Sequence, residues 1–262
     1  MNKLQTKLQT LKDNNKKALV AYLVAGDPDL DTTLELMHLF VNSGVDVIEI
    51  GVPFTDPIAE GPIIQKAHDR ALKKDISLKN IIDMVIKFRE TNADTPIVLM
   101  GYLNTFISHS DLIEESDKLG IDALLVVDIP GELKLNSYGI SNPNIDTISL
   151  ISPTTADNRI KQITENSSGF IYYVNLRGVT GSSNLDMNEI EKNISKIRQY
   201  TSIPTLAGFG IKTPSDAKIL AKCADGVIVG SSIVEMIDAA KKTKDFSKIE
   251  EYLKDLNRAI NK

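Results

Sequence analysis

The chain has 262 residues, 42% of them hydrophobic and 25% charged, with a net charge of -5 at pH 7. That length and balance suit one soluble domain of the size usual for an α/β barrel, large enough to bury a full core. An acidic chain argues against a nucleic-acid partner. Its one cysteine excludes a disulfide framework, and the scattered His38, His68 and His109 offer no metal cluster.

The first residues, Met1 to Leu8, contain no apolar core for a signal peptide. No stretch approaches the roughly 18 apolar residues of a membrane span, so the expectation is a cytoplasmic protein. Leu4, Leu8 and Leu11 share one face of an N-terminal helix that would plug one end of the fold. Eight short apolar runs follow, over 18–24, 45–50, 97–101, 123–127, 147–151, 170–174, 205–208 and 226–229. They are continuous rather than alternating, the sign of strands buried on both faces of a parallel sheet.

Helical periods lie between the runs. Asp31 is expected to cap a helix with Leu36, Leu39 and Phe40 inside. Ser77 caps another, with Ile81, Ile82, Val85 and Phe88 on its apolar face. Thr213-Pro214-Ser215-Asp216 opens a helix expected to carry Cys223 as a small buried hydrophobe. Ile249, Leu253, Leu256 and Ile260 mark the last helix. Eight strands alternating with helices predict a single-domain (β/α)₈ TIM barrel over residues 1–262 with an extra N-terminal helix. A doubly wound open sheet is the alternative.

In such a barrel the chemistry sits at the C-terminal ends of the strands, which is where Asp27, Glu49, Tyr102, Asp128 and Tyr172 fall. Glu49 lies between Ile48 and Ile50, where a charge costs several kcal/mol unless it is paired, protonated or used. Apolar neighbours favour its protonated form and make it a usable acid at neutral pH; a salt bridge across the mouth is the plainer alternative. Glu60 follows in a Pro/Gly-rich loop, where a solvated carboxylate is the plain reading. Three glycine segments come late: Gly178-Val179-Thr180-Gly181, Gly208-Phe209-Gly210 and Gly230-Ser231-Ser232. The last opens a short helix, and glycines beside a helix N-terminus present N–H groups to an anion. The residues thus point to a barrel enzyme performing acid–base chemistry on a phosphorylated small molecule, without metal.

The segment Ile48-Glu49-Ile50-Gly51-Val52-Pro53-Phe54-Thr55-Asp56-Pro57 resembles the signature of the tryptophan synthase alpha subunit family. Gly26-Asp27-Pro28, Met100-Gly101-Tyr102-Leu103-Asn104, Gly169-Phe170-Ile171-Tyr172-Tyr173-Val174 and the three glycine segments match in order and spacing, covering essentially the whole chain. The resemblance implies retro-aldol cleavage of indole-3-glycerol phosphate to indole and D-glyceraldehyde 3-phosphate. It implies Glu49, Glu60 and Tyr172 as catalytic residues. Tyr22, Tyr102, Thr180, Gly181, Phe209, Gly210, Gly230 and Ser231 would bind substrate. It further implies a beta-subunit partner in an alpha2beta2 complex; Pro53, Phe54, Asp56 and Asn104, with Phe106 beside them, are the candidate contacts, since Phe54 and Phe106 are apolar residues in loops. The pyridoxal phosphate would belong to that partner, with none in this chain. The family usually has Asp where this chain has Glu60, which keeps the charge but adds a methylene. Two rivals stay open at this point: another phosphate-binding barrel lyase or isomerase working without a partner, and a non-catalytic barrel that only binds and regulates one.

Overall fold

Strands that are apolar on both faces need parallel neighbours and a layer of helices outside. In the computed structural model, which describes residues 2–174, 186–208 and 210–262, the eight runs meet that need. They form β1 (Ala18–Val24), β2 (Val47–Gly51), β3 (Ile97–Gly101), β4 (Ala123–Val126), β5 (Asp146–Ile151), β6 (Ile171–Val174), β7 (Thr205–Gly208) and β8 (Gly226–Val229). Each pairs in parallel with the next, and β8 returns to β1 to close the barrel, so the open-sheet alternative is excluded. Around it, among the described residues, run α1 (Lys3–Asp13), α2 (Leu30–Asn42), α3 (Pro62–Leu72), α4 (Leu78–Arg89), α5 (Leu103–Ile107), α6 (Ser110–Glu114), α7 (Asp157–Asn166), α8 (Met187–Ile197), α9 (Pro214–Leu220), α10 (Ser231–Ala240) and α11 (Ser247–Ile260). Among the described residues no helix is long and apolar enough to cross a membrane.

The period of two along each strand divides the core. One set of side chains, including Val20, Val47, Val98, Leu125, Ile148, Phe170, Leu206 and Ile228, fills the barrel interior, and Leu4 and Leu8 of α1 close it from below. Burying each such leucine is worth roughly 2 kcal/mol. The other set, including Ile48, Ile50, Leu99 and Val227, packs outward against Leu36, Phe40, Ile81, Phe88 and Leu253 of the helices. Asn2 and Gln5 tie α1 in place by donating to Asp146 at 2.8 and 2.7 Å.

At the N-terminal rim one device recurs four times. In each case the N–H of the first or second residue of an odd strand donates to a side chain placed ahead of the following even strand. Leu19 donates to Asp46 at 3.0 Å, Ile97 to Asp122 at 2.8 Å, Thr147 to Ser168 at 2.9 Å and Thr205 to Asp225 at 2.8 Å. In each pair the second residue returns its own N–H to the carbonyl of the first at 2.9 Å. These bonds satisfy groups that the staggered ladder leaves without a partner. Arg89 fastens Asp122 at 2.8 Å, and Arg198 does the same for Asp225 at 2.8 Å.

Local signals met two corrections. The cap of α2 is Asp29, whose carboxylate accepts the Thr32 N–H at 2.7 Å; Asp31 falls in the first turn, where its charge faces the positive end of the helix. Cys223 lies beyond α9, in the turn that follows Leu220, and its thiol donates to the Leu220 carbonyl; it is buried as expected. Ser77 and Thr213 cap α4 and α9 through capping boxes.

Candidate active site

The interior side chains two residues further along each strand form the top layer of the barrel. Tyr22 stands above Val20, Glu49 above Val47, Met100 above Val98 and Tyr172 above Phe170, with Gly208 and Gly230 following Leu206 and Ile228. The β2 register therefore places the Glu49 side chain on the barrel interior. It is 1% exposed, and its Oε1 has no hydrogen-bond partner among the described residues. Burial pushes its carboxyl up to about 8, and the charge of Glu60 adds to the effect. At neutral pH Glu49 is a protonated acid, and the salt-bridge alternative does not hold among the described residues.

Tyr22 pairs in register with Glu49 across β1 and β2. Its hydroxyl is buried without a partner among the described residues. Burial, then the charges of Glu60 and Glu49, hold its pKa well above the usual tyrosine value. The ring fits because Gly51 has no side chain: a Cβ there would lie 2.2 Å from the Tyr22 hydroxyl. Tyr172 uses Gly208 in the same way, with a virtual Cβ at 2.5 Å from its ring. Desolvation, followed by the charges of Glu49 and Glu60, raises the Tyr172 hydroxyl as well.

Glu60 ends the loop between β2 and α3, and its side chain is only 3% exposed, so the solvated-carboxylate reading is overturned. The loop is anchored along its length. Ala59 N–H donates to the Tyr102 hydroxyl at 3.1 Å, Gln65 Nε2 donates to the Glu60 carbonyl at 2.9 Å, and Phe54 N–H donates to His68 Nδ1 at 3.0 Å. The Phe54 ring stacks on Tyr102, centroids 4.4 Å apart. Asp128 accepts the Leu103 N–H at 2.8 Å and so holds the next loop.

The cleft above Glu49 has a volume of about 430 Å³ and reaches from Tyr22, Met100 and Tyr172 to Gly210, Gly230 and Ser231. Ile63, Ile64 and Met100 pack with Tyr22 into an apolar wall. At the far end Gly230 caps α10 with no side-chain cap, leaving the first N–H groups of that helix facing the cleft mouth. Ser232 and Tyr252 both donate to the Ile211 carbonyl, at 2.7 and 3.2 Å, fixing the loop that carries Gly210. Lys212, which sequence reasoning passed over, also lines the cleft. Asp27, 3% exposed, is held by both donors of Arg70 at 2.7 Å; Arg70 also reaches Asp238 of α10 at 3.2 Å. A larger cavity of about 720 Å³ opens at the N-terminal end near Leu8, Lys12 and Tyr200, but none of the orphaned buried polar groups lies there.

The structure thus brings Glu49, Glu60, Tyr172, Tyr22, Tyr102, Gly210, Gly230 and Ser231 to one end of the barrel. Thr180, Gly181 and Phe209 lie outside the described residues. Among the expected interface residues, Asp56 and Asn104 are exposed and Phe54 is half-buried. Pro53 and Phe106 are buried, so neither is a surface residue of the chain. Phe106 belongs to α5 and turns inward onto Gly101, where a Cβ would lie 2.9 Å from its ring. The exposed apolar residues of this region are Ile58, at 74%, and Ile107, at 42%. The placement of His68 under the β2–α3 loop has no signal in spacing or composition.

Fold and site together define a (β/α)₈-barrel enzyme with a buried acid at its strand ends and a helix N-terminus without a side-chain cap across the mouth. The family model described as "Tryptophan synthase alpha chain" matches residues 8–261. The chain is 43% identical to the tryptophan synthase alpha chain of Nitrosomonas europaea over 265 residues, covering 100% of this chain and 96% of that one. It is 48% identical over 225 residues to the alpha chain of Neisseria meningitidis serogroup B, covering 85% and 86%. The crystal structure of tryptophan synthase subunit alpha from Legionella pneumophila str. Paris superposes with a TM-score of 0.89 at 37% identity, covering 99% of this chain and 98% of that one. The chain belongs to the tryptophan synthase alpha chain family. It is an aldolase-type lyase of tryptophan biosynthesis that splits indole-3-glycerol phosphate into indole and D-glyceraldehyde 3-phosphate. The family works with a beta subunit in an alpha2beta2 complex, and the pyridoxal phosphate resides in that subunit.

Proposed function

We propose that Glu49 carries the proton transfers of this cleavage. The observation behind it is a carboxyl buried at the cleft floor, unpaired among the described residues and raised to about 8. Protonated Glu49 delivers its proton to C3 of the indole, and positive charge develops on the ring nitrogen. Glu60, whose charge already acts on Glu49, lies where a carboxylate stabilises that nitrogen. The Glu49 carboxylate then takes the proton of the side-chain hydroxyl next to C3. The C3–carbon bond breaks, its electrons restore the aromatic ring, and the aldehyde leaves. One proton is given and one regained, so the enzyme is returned unchanged.

Tyr22, Ile64 and Met100 offer the indole an apolar wall, with Tyr102 and Tyr172 flanking the carboxylates. Gly210, Gly230, Ser231 and the first N–H groups of α10 receive the phosphate, with Lys212 adding charge at the rim. Thr180, Gly181 and Phe209 are assigned to substrate binding on the resemblance alone. Residues 1–262 act as one catalytic domain, since a single barrel takes all eight strands, and we place it in the cytoplasm. Exposed Asp56, Asn104 and Ile58 offer the beta subunit a surface, with Phe54 and Pro53 supporting it from within.

The test is indole release from indole-3-glycerol phosphate by the purified chain, with and without a beta subunit. Turnover that rises with the partner and drops by about 100-fold or more in Glu49→Gln supports the assignment. Turnover surviving in Glu49→Gln would remove Glu49 as the acid.

A further inference from the structure

His68 sits on α3, 1% exposed, and uses its two ring nitrogens on opposite ends of one loop. Nδ1 accepts the Phe54 N–H at 3.0 Å where the loop leaves β2. Nε2 faces Glu60 Oε1 at 3.7 Å where the loop joins α3, and this nitrogen has no hydrogen-bond partner among the described residues. Because Nδ1 is an acceptor, the ring's hydrogen is on Nε2. A donor is therefore aimed at Glu60. Among the described residues no lysine or arginine comes within 4.0 Å of the Glu60 carboxylate. Left to its own torsions, a glutamate side chain with three rotatable bonds samples several positions, and a carboxylate that must meet a ring nitrogen cannot be spread over them.

We propose that His68 is a positioning residue for the cleavage: its Nε2–H holds the Glu60 carboxylate in the orientation that meets the indole nitrogen, while Nδ1 fixes the loop that carries it. This rests on the role given to Glu60 above. The remaining 0.7 Å or so beyond a strong bond is within the reach of one glutamate torsion. A plainer role, anchoring Phe54 and nothing more, predicts a different pattern of variants.

The two roles are separable because two amides imitate one ring nitrogen each. In His68→Asn the amide oxygen takes the place of Nδ1 and keeps the Phe54 bond, but nothing reaches Glu60. In His68→Gln the amide N–H takes the place of Nε2, but the Phe54 acceptor is lost. Indole release is measured for wild type, His68→Asn, His68→Gln, Glu60→Ala and the double variant His68→Asn/Glu60→Ala, with thermal midpoints for each. The expected result is kcat lower by about tenfold in His68→Asn, with KM within about twofold, because the interaction matters only as charge develops on the ring. His68→Gln recovers kcat to within about threefold of wild type despite a lower thermal midpoint, and His68→Asn adds no further loss to Glu60→Ala. Loss in the Gln variant with an intact Asn variant assigns the ring to Phe54 alone and overturns the proposal. Equal loss in both, equal retention in both, or additive losses in the double variant also overturn it. A wild type without turnover even beside a beta subunit fails the role of Glu60 itself. An active wild type that Glu60→Ala damages and His68→Asn does not fails only the inference about His68.

Discussion

Glu49 and Glu60, one on the barrel interior and one on the loop above it, are coupled: burial raises the Glu49 carboxyl to about 8, and the negative charge of Glu60 pushes in the same direction. The acid is thus kept loaded chiefly by burial, with the charge of the residue proposed to serve the ring nitrogen helping.

The pH dependence follows. The acid form of Glu49 is present below about 8 and is lost above it, so kcat/KM falls on the alkaline side with a limb near that value. Replacing Glu60 by Gln removes the smaller of the two causes, so the limb moves to lower pH without reaching the ordinary carboxylate range. A pH–rate profile of the Glu60→Gln variant checks this; a limb that stays in place would show that the two carboxyls are not coupled.

Stability has the opposite interest. The folded pKa of Glu49, about 8, lies above its ordinary value of 4.5, so the native state binds the proton more tightly than the unfolded chain. The stability this gives is complete below about 4.5 and is lost progressively up to about 8. Glu49→Gln, neutral at every pH, is expected to match wild type in acid and to exceed it above pH 8 by on the order of a few kcal/mol. Thermal midpoints from pH 5 to 9 measure the difference; wild type and variant running parallel over that range would refute it.

Arg70 offers a test of geometry against charge. It holds buried Asp27 through two parallel bonds and reaches α10 through Asp238. Arg70→Ala leaves a buried carboxylate unpaired and should cost about 3 kcal/mol in urea unfolding. Lysine keeps the charge but loses the fork, so Arg70→Lys should recover less than half of that loss. Full recovery by lysine would mean that charge alone matters there.

The barrel is legible in the sequence because its strands are uninterrupted apolar runs, and a parallel sheet covered on both sides needs just that pattern. Glu49 is legible for the same reason, as a charge where the run admits none. What escaped depends on contacts between distant elements. Phe106 reads as a loop aromatic, yet a short helix after β3 turns it onto Gly101. Pro53 sits in a segment that looks exposed and is covered. His68 has the spacing of an ordinary helix residue, and only the return of the β2–α3 loop over α3 gives its Nδ1 a partner and brings its Nε2 to 3.7 Å from Glu60. The aspartates ahead of the even strands look like turn residues until an N–H from the start of the neighbouring strand is found on them.

The attachment of α1 has a consequence for the opposite rim. Asn2 donates both to the carbonyl of Asp122, ahead of β4, and to the carboxylate of Asp146 in β5. It rivets the first four strands to the last four at their seam. The cleft straddles the same division: Glu49, Glu60 and Tyr102 come from the first half, and Tyr172, Gly210, Gly230 and Ser231 from the second. The amino-terminal helix, a barrel's length from the chemistry, therefore helps set how the half that holds the acid is aligned with the half proposed to hold the phosphate.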